Sequence, residues 1–171
     1  MSLSRKNTSF AEAMAAKVVA PDLLEEKVAC IRAEGKTVAT LNGSFDLMHA
    51  GHLEMIYQAS QQASVLFVAL NTDRSIQQYK SPLRPIIPLQ FRLRMMAALE
   101  MVDFVTWFDE TDPRAILSRI KPDVHVNGAE YTEDCIEAAT VKSFGGKIHI
   151  VQLVPGLSTS QIIKKVVETC A

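Results

Sequence analysis

Short, continuous apolar runs alternate along this chain with stretches whose apolar residues recur every three or four positions. The runs Thr37–Leu41, Val65–Leu70, Phe104–Phe108, Val124–Val126 and Lys147–Leu153 are rich in β-branched and aromatic residues, which predicts strands covered on both faces. Helical spacing predicts a helix from Pro21–Asp22 to near Gly35, with Leu23, Leu24, Val28 and Ile31 on its apolar side. Further helices follow each run. One carries Leu53, Ile56, Tyr57 and Ala59, and another spans Leu89–Met101. The rest are Pro113–Ile120, Glu133–Phe144 and Ser158–Thr169. Between the second run and the next helix, Asn71–Pro88 reads as a long polar connection with several prolines and cations, and such loops are more often functional than decorative.

Strand and helix alternate five times, and parallel strands need such crossovers. The expected fold is α/β: a doubly wound, five-stranded parallel sheet in a single domain over 21–171, with an N-terminal helical extension. Residues 1–20 read as a polar or Ala-rich tail without assigned order. In such sheets the ligand site lies beyond the carboxyl ends of the strands, where the strand order reverses.

Composition narrows the class. A length of 171 residues suits one domain, and 48% hydrophobic with 22% charged residues is far from a disordered composition. The net charge of -1 supplies no global field for nucleic acid or an anionic surface, so neither nucleic acid nor membrane is expected as a partner. No apolar run is long enough to span a bilayer, and the N-terminus has no apolar core of a secretory signal. Three scattered cysteines, Cys30, Cys135 and Cys170, fit a reducing compartment, and a cytoplasmic location is expected.

The loop after the first strand reads Gly43-Ser44-Phe45-Asp46-Leu47-Met48-His49-Ala50-Gly51-His52. Gly43 and Ser44 allow close backbone approach to a bound group, and a helix start just downstream presents free N–H groups. His49 and His52, at i and i+3, share a face of its first turn, and Gly51 puts no side chain between them. This is a plausible phosphate cradle. The pair alone also fits a metal site, which would want further ligands, and His125, His149 and the cysteines do not complete a set. There is no G-x-x-x-x-G-K-[ST], no dinucleotide fingerprint and no G-x-S-x-G elbow.

GSFDLMHAGH resembles the signature of the HxGH cytidylyltransferase-like nucleotidyltransferases, which share a Rossmann-like sheet. The resemblance continues in order through Asn71-Thr72-Asp73, Lys80 with Arg84-Pro85-Ile86, Pro88–Arg92, Ala98–Val105, Lys121-Pro122-Asp123, Asn127–Tyr131 and Gly156–Lys165, covering about Lys17 to Val167. Within that family the chain is most similar to the heptose 1-phosphate adenylyltransferase domain of bacterial ADP-heptose synthesis. It departs from it at Asn127 and Glu130, where Lys and Asp are usual. The resemblance implies transfer of AMP from ATP to a sugar 1-phosphate by direct in-line attack, with pyrophosphate released, in lipopolysaccharide core synthesis. Glycerol-3-phosphate cytidylyltransferases, which use CTP, are the alternative enzyme. A non-catalytic nucleotide-binding module is the alternative of another class.

The resemblance assigns His49, His52, Lys80 and Arg92 to catalysis. It assigns Gly43, Ser44, Phe45, Gly51, Gly128, Glu130, Tyr131, Ser158 and Thr159 to the nucleotide, and Asp46 and Arg84 to the acceptor. Mg²⁺ is expected to arrive with the triphosphate rather than in a protein cage. A homodimer is expected because relatives are often dimers.

Overall fold

The computed structural model describes residues 9–128, 131–132, 134–152 and 158–170. Among these, β1 (Val38–Gly43), β2 (Val65–Asn71), β3 (Phe104–Phe108), β4 (Val124–Gly128) and β5 (Lys147–Val151) form one parallel sheet in the order β3-β2-β1-β4-β5. The helices are α1 (Phe10–Ala15), α2 (Leu24–Ala33), α3 (Ala50–Ser60), α4 (Asp73–Tyr79), α5 (Leu89–Ala97), α6 (Arg114–Ile120), α7 (Ala138–Ser143) and α8 (Thr159–Cys170), with a 3₁₀ turn at Pro21–Leu23. The fold is α/β and Rossmann-like, as the alternation of patterns requires.

Burial follows the apolar runs. Every residue of β2 is buried, because β1 and β3 flank it and helices cover both faces. One core layer joins Leu41, Ile56, Leu66, Val68, Met96 and Val105, so α3 and α5 share a face. The other joins Leu24, Val28, Phe67, Ile116, Leu117, Ile120 and Val141, so α2, α6 and α7 share the opposite one. The two sheet halves are pinned by Asp123, whose backbone N–H donates to the Val38 carbonyl at 2.9 Å and whose carboxylate accepts from the Val38 N–H at 2.7 Å.

Some elements differ from the sequence reading. Residues 9–20, read as part of a tail, are structured: Ser9 and Glu12 form a capping box for α1, and Val18 bridges β3 at Val105. Lys17 Nζ donates to the carbonyls of Leu99 and Val102 at 2.8 and 2.6 Å. The polar connection Asn71–Pro88 contains α4, capped by the Thr72 hydroxyl, which accepts from the Ser75 N–H at 3.1 Å. The helix read over Leu89–Met101 stops at Ala97, and the one read from Glu133 starts at Ala138. Leu153 and Glu133, used as sequence boundaries, lie outside the described residues. Leu53 and Tyr57 are exposed on α3, so only Ile56 and Ala59 of that set enter the core.

Candidate active site

Strand order reverses at β1, with β2 on one side and β4 on the other. A cavity of about 380 Å³ opens there, beyond the strand ends. From β1 and its loop it is lined by Asn42, Gly43, Ser44, Phe45, His52 and Met55. The β2 side contributes Asn71, Tyr79 and Lys80, and the β4 side contributes Asn127, Gly128, Tyr131, Ile136 and Glu137. Thr111, Asp112 and Pro113 complete the rim above β3.

The β1 loop is shaped by local constraints. Phe45 takes φ 44°, a left-handed conformation rare for a bulky residue, and its ring is buried against the core. A Cβ at position 43 would stand 3.1 Å from that ring, so Gly43 permits the turn. His49 is the N-cap of α3. Its backbone N–H donates to His52 Nδ1 at 3.3 Å, and the two rings stack with centroids 3.9 Å apart. Because His52 Nδ1 accepts, the neutral ring carries its proton on Nε2 and has a donor left for a ligand. Burial, helped by the positive charges of His49 and Lys80, pulls His52 down to about 4, and burial also lowers His49. Among the described residues His49 Nδ1 is buried without a hydrogen-bond partner. It is His52 that lines the cavity wall; His49 supports it from behind.

Lys80 Nζ donates to Ser44 Oγ at 2.8 Å, which holds its ammonium over the loop. Partial desolvation lowers its pKa, although the side chain stays largely exposed, and so do the neighbouring charges of Arg84 and Arg92, while Asp46 opposes them. A cation in this setting gains when a phosphate arrives to neutralise it. At the far end of the chain, Thr159 Oγ1 donates to the Leu47 carbonyl at 3.4 Å, which brings the start of α8 to the histidine loop. Ser158 Oγ accepts from the Gln161 N–H at 3.2 Å and so caps α8.

Three assigned residues, Arg92, Asp46 and Arg84, are held by protein partners. Arg92, expected to fork onto a triphosphate, is only 1% exposed. Its guanidinium donates to the carbonyls of Ile87, Ser44 and Asn71 at 2.9, 2.6 and 2.9 Å, and to Asp73 Oδ1 at 2.6 Å. It stitches the ends of β1 and β2 to the 80–88 loop and is a positioning residue. Asp46, expected to face acceptor hydroxyls, is also 1% exposed. Its carboxylate accepts from the N–H groups of Ile86 and Ile87 and pairs with Arg84 at 2.7 Å. Those bonds and the Arg84 charge outweigh desolvation and keep it ionised. Arg84 is thereby occupied by Asp46 rather than turned to a substrate. A buried cation and a buried anion, each saturated by partners, anchor the loop that presents Lys80.

The remaining assigned residues divide simply. Gly128 and Tyr131 line the cavity; Gly51 is buried in the first turn of α3 and does not. Glu130 lies outside the described residues. Sequence reasoning missed Asn42, Tyr79 and Glu137 as lining residues. Asn42 and Asn127 occupy equivalent places near the carboxyl ends of adjacent strands, a signal that strand prediction makes available. Glu137 carries no such signal, since it reaches the cavity from the turn before α7.

A parallel sheet with a polar, hydrogen-bond-rich cavity at its switch point, beside the start of α3, is the arrangement in which α/β proteins handle nucleotide phosphates. The chain belongs to the cytidylyltransferase-like family: its residues 40–165 match that family's model. By class it is therefore a nucleotidyltransferase.

Relatives agree. The chain is 46% identical over 90% of its length to the bifunctional protein HldE of Methylobacillus flagellatus, and 44% identical over 76% to that of Gluconobacter oxydans. It spans 32% and 27% of those two proteins' own lengths, so it corresponds to about a third of each. The crystal structure of the lipopolysaccharide core biosynthesis protein from Thermoplasma volcanium shares the fold, with a TM-score of 0.59 at 23% identity over 70% of this chain and 98% of that one.

Proposed function

We propose that the chain transfers AMP from ATP to a sugar 1-phosphate, with heptose 1-phosphate the preferred acceptor, and releases pyrophosphate. An oxygen of the acceptor phosphate attacks the α-phosphorus, the bond to the α,β-bridging oxygen breaks, and pyrophosphate leaves with that electron pair. The protein's contribution is positioning and stabilisation of charge. The observation that carries this reading is His52 on the cavity wall, neutral and with its donor on Nε2, in a loop that Lys80 bonds at Ser44 and the start of α8 touches at Leu47.

His52 donates to the α-phosphate while His49 fixes its orientation. Lys80 neutralises phosphate charge from the β2 side, and the first turn of α8 receives the outer phosphates. In this reading Mg²⁺ is held by phosphates and water rather than by a protein cage. When bound it would supply charge neutralisation on the triphosphate. The adenylyl preference and the place in lipopolysaccharide core synthesis come from the motif resemblance and from the likeness to the HldE proteins. The reading includes a homodimer, which rests on that resemblance alone, and a cytoplasmic setting, which the free cysteines fit.

The test is pyrophosphate release by the purified chain with ATP or CTP against heptose 1-phosphate, other sugar 1-phosphates and glycerol 3-phosphate. ATP with a sugar 1-phosphate should be fastest. His49→Ala and His52→Ala should fold yet turn over at least about a hundredfold slower, the loss of roughly 3 kcal/mol expected on removing one preorganised donor. CTP with glycerol 3-phosphate as the best pair would replace the reading with the cytidylyl one. ATP binding without pyrophosphate from any acceptor would reduce the chain to a nucleotide-binding module.

A further inference from the structure

Part of the cavity lining has no place in phosphate chemistry. Glu137, the residue before α7, is only 3% exposed yet lines the cavity. Asn127 Nδ2 donates to its Oε1 at 2.7 Å, and His125 Nε2 stands 3.5 Å from the same oxygen. His125 is fully buried, and its other nitrogen meets Thr40 Oγ1 at 2.8 Å. Asn127 thus holds the carboxylate directly, with His125 beside it and Thr40 behind His125. Despite the burial that opposes it, the proximity of His125 and the bond from Asn127 keep that carboxylate ionised, at about 2.

An ionised carboxylate repels phosphate, so it cannot sit at the triphosphate end of a bound nucleotide. The layout agrees with that requirement. Lys80 enters from the β2 side and Glu137 from the β4 side, with β1 between them. Asp112, on the rim above β3, is paired with Arg114 at 2.8 Å, which leaves the cavity a cationic side at Lys80 and an anionic side at Glu137; a nucleotide has the matching polarity, with phosphates at one end and hydrogen-bond donors at the other. The contacts from Asn127 and His125 both fall on Oε1, so in this proposal it is Oε2 that meets the ligand donor.

Building on the nucleotide reading above, we propose that Glu137 is a specificity-determining residue, whose carboxylate accepts a hydrogen bond from a donor on the nucleoside. That donor is either a ribose hydroxyl or the exocyclic amine of the base. The network of Thr40, His125 and Asn127 serves to aim this acceptor. A site built to accept such a bond rejects the analogue that lacks the donor, because the carboxylate is then buried without its partner.

The experiment is equilibrium binding to the full chain of ATP, 2′-deoxyATP, 3′-deoxyATP and ITP, with CTP, 2′-deoxyCTP and UTP as the cytidine counterpart. For the wild type, one analogue should bind on the order of ten- to a hundredfold more weakly than its parent nucleotide, and its identity names the donor. In Glu137→Gln the amide keeps the bond from Asn127 but turns its NH₂ towards the ligand donor, so that ratio should fall to near one. Glu137→Asp, which retains the charge and draws it back, should lower the ratio as well and serves if the Gln variant does not fold. A carboxylate that only ties β4 to α7 would leave the ratios untouched. The proposal is overturned if every analogue binds the wild type within twofold of its parent, or if the discrimination persists in a folded variant. Nucleotide binding with the expected ratios but without pyrophosphate release would overturn the transfer reading alone, and a wild type that binds no nucleotide would overturn both.

Discussion

His52 shows how one side chain ties stability to the chemistry proposed for it. Its ring is half-buried, stacked on His49 and faced by Lys80, and all three conditions disfavour the imidazolium. Its folded pKa of about 4 lies below the ordinary value of 6.5. Between those values the unfolded chain binds a proton that the folded chain does not, so stability rises with pH across that window and is lost as pH falls from 6.5 towards 4. Discounted for the water that reaches this ring, the effect is about 1–2 kcal/mol. Urea unfolding at pH 4.5 and 7.5 should show the wild type losing that much more stability than His52→Gln. Equal losses in the two proteins would remove the case for a desolvated, neutral imidazole. The same neutrality is what leaves Nε2–H as a donor at physiological pH. Glu137 and Asp46, whose pKa values are depressed, lose their contributions as pH falls below the ordinary carboxylate values of 4.5 and 3.8, so they touch only the lower edge of this window and cancel between the two proteins.

Elements differ in how far a local pattern determines them. The five strands lie within one or two residues of the apolar runs that predict them, because a strand covered on both faces must be continuously apolar. The α7–β5 junction rests on backbone fit instead. A Cβ on Gly146 would stand 2.4 Å from the Pro122 carbonyl oxygen and 2.8 Å from a Val141 methyl, and neither the backbone nor the buried valine can withdraw. Gly35, at φ 72°, has nothing within 4 Å of its would-be Cβ. Gly35→Ala should therefore cost only the left-handed strain, about 1–2 kcal/mol, and Gly146→Ala distinctly more. Denaturant midpoints that fall in the reverse order would show that the α7–β5 turn yields more easily than its contacts imply.

Other elements were less legible for physical reasons. Helix α4 is short and mostly polar, and its evidence was one capping threonine; the Ser9–Glu12 pair before α1 was a capping signature inside an Ala-rich stretch. Arg92 and Asp46 stand out in the sequence as motif residues, but that both are buried against protein partners does not. Nothing in a sequence window distinguishes a cation that meets substrate from one that meets three carbonyls, since burial of charge is decided by elements distant along the chain. His49, His52 and Lys80 were legible because their chemistry is local to one loop, or to a loop adjoining it. Glu137 was not, because its partners come from β4 and its role needs the cavity to exist.

At the scale of the molecule, the cavity draws on β1, β2, β4 and the loops beyond them, so a ligand there links segments that are distant in sequence. The net charge of -1 gives no long-range attraction for a triphosphate, and its binding must come from groups in the cavity itself. A ligand that binds only the folded state at a hundred times its Kd stabilises by about 2.7 kcal/mol. For a chain of 171 residues that corresponds to a rise of about 5–10 °C in Tm. Lys80 is exposed, so Lys80→Ala should change the Tm of the free protein by no more than about 1–2 °C. With ATP at the same concentration, however, a tenfold weaker Kd removes about 1.4 kcal/mol and with it roughly half the shift. Thermal unfolding of both proteins with and without ATP decides the matter. Equal ATP-induced shifts would mean that Lys80 and its bond to Ser44 are surface decoration, and that the phosphates are held elsewhere in the cavity.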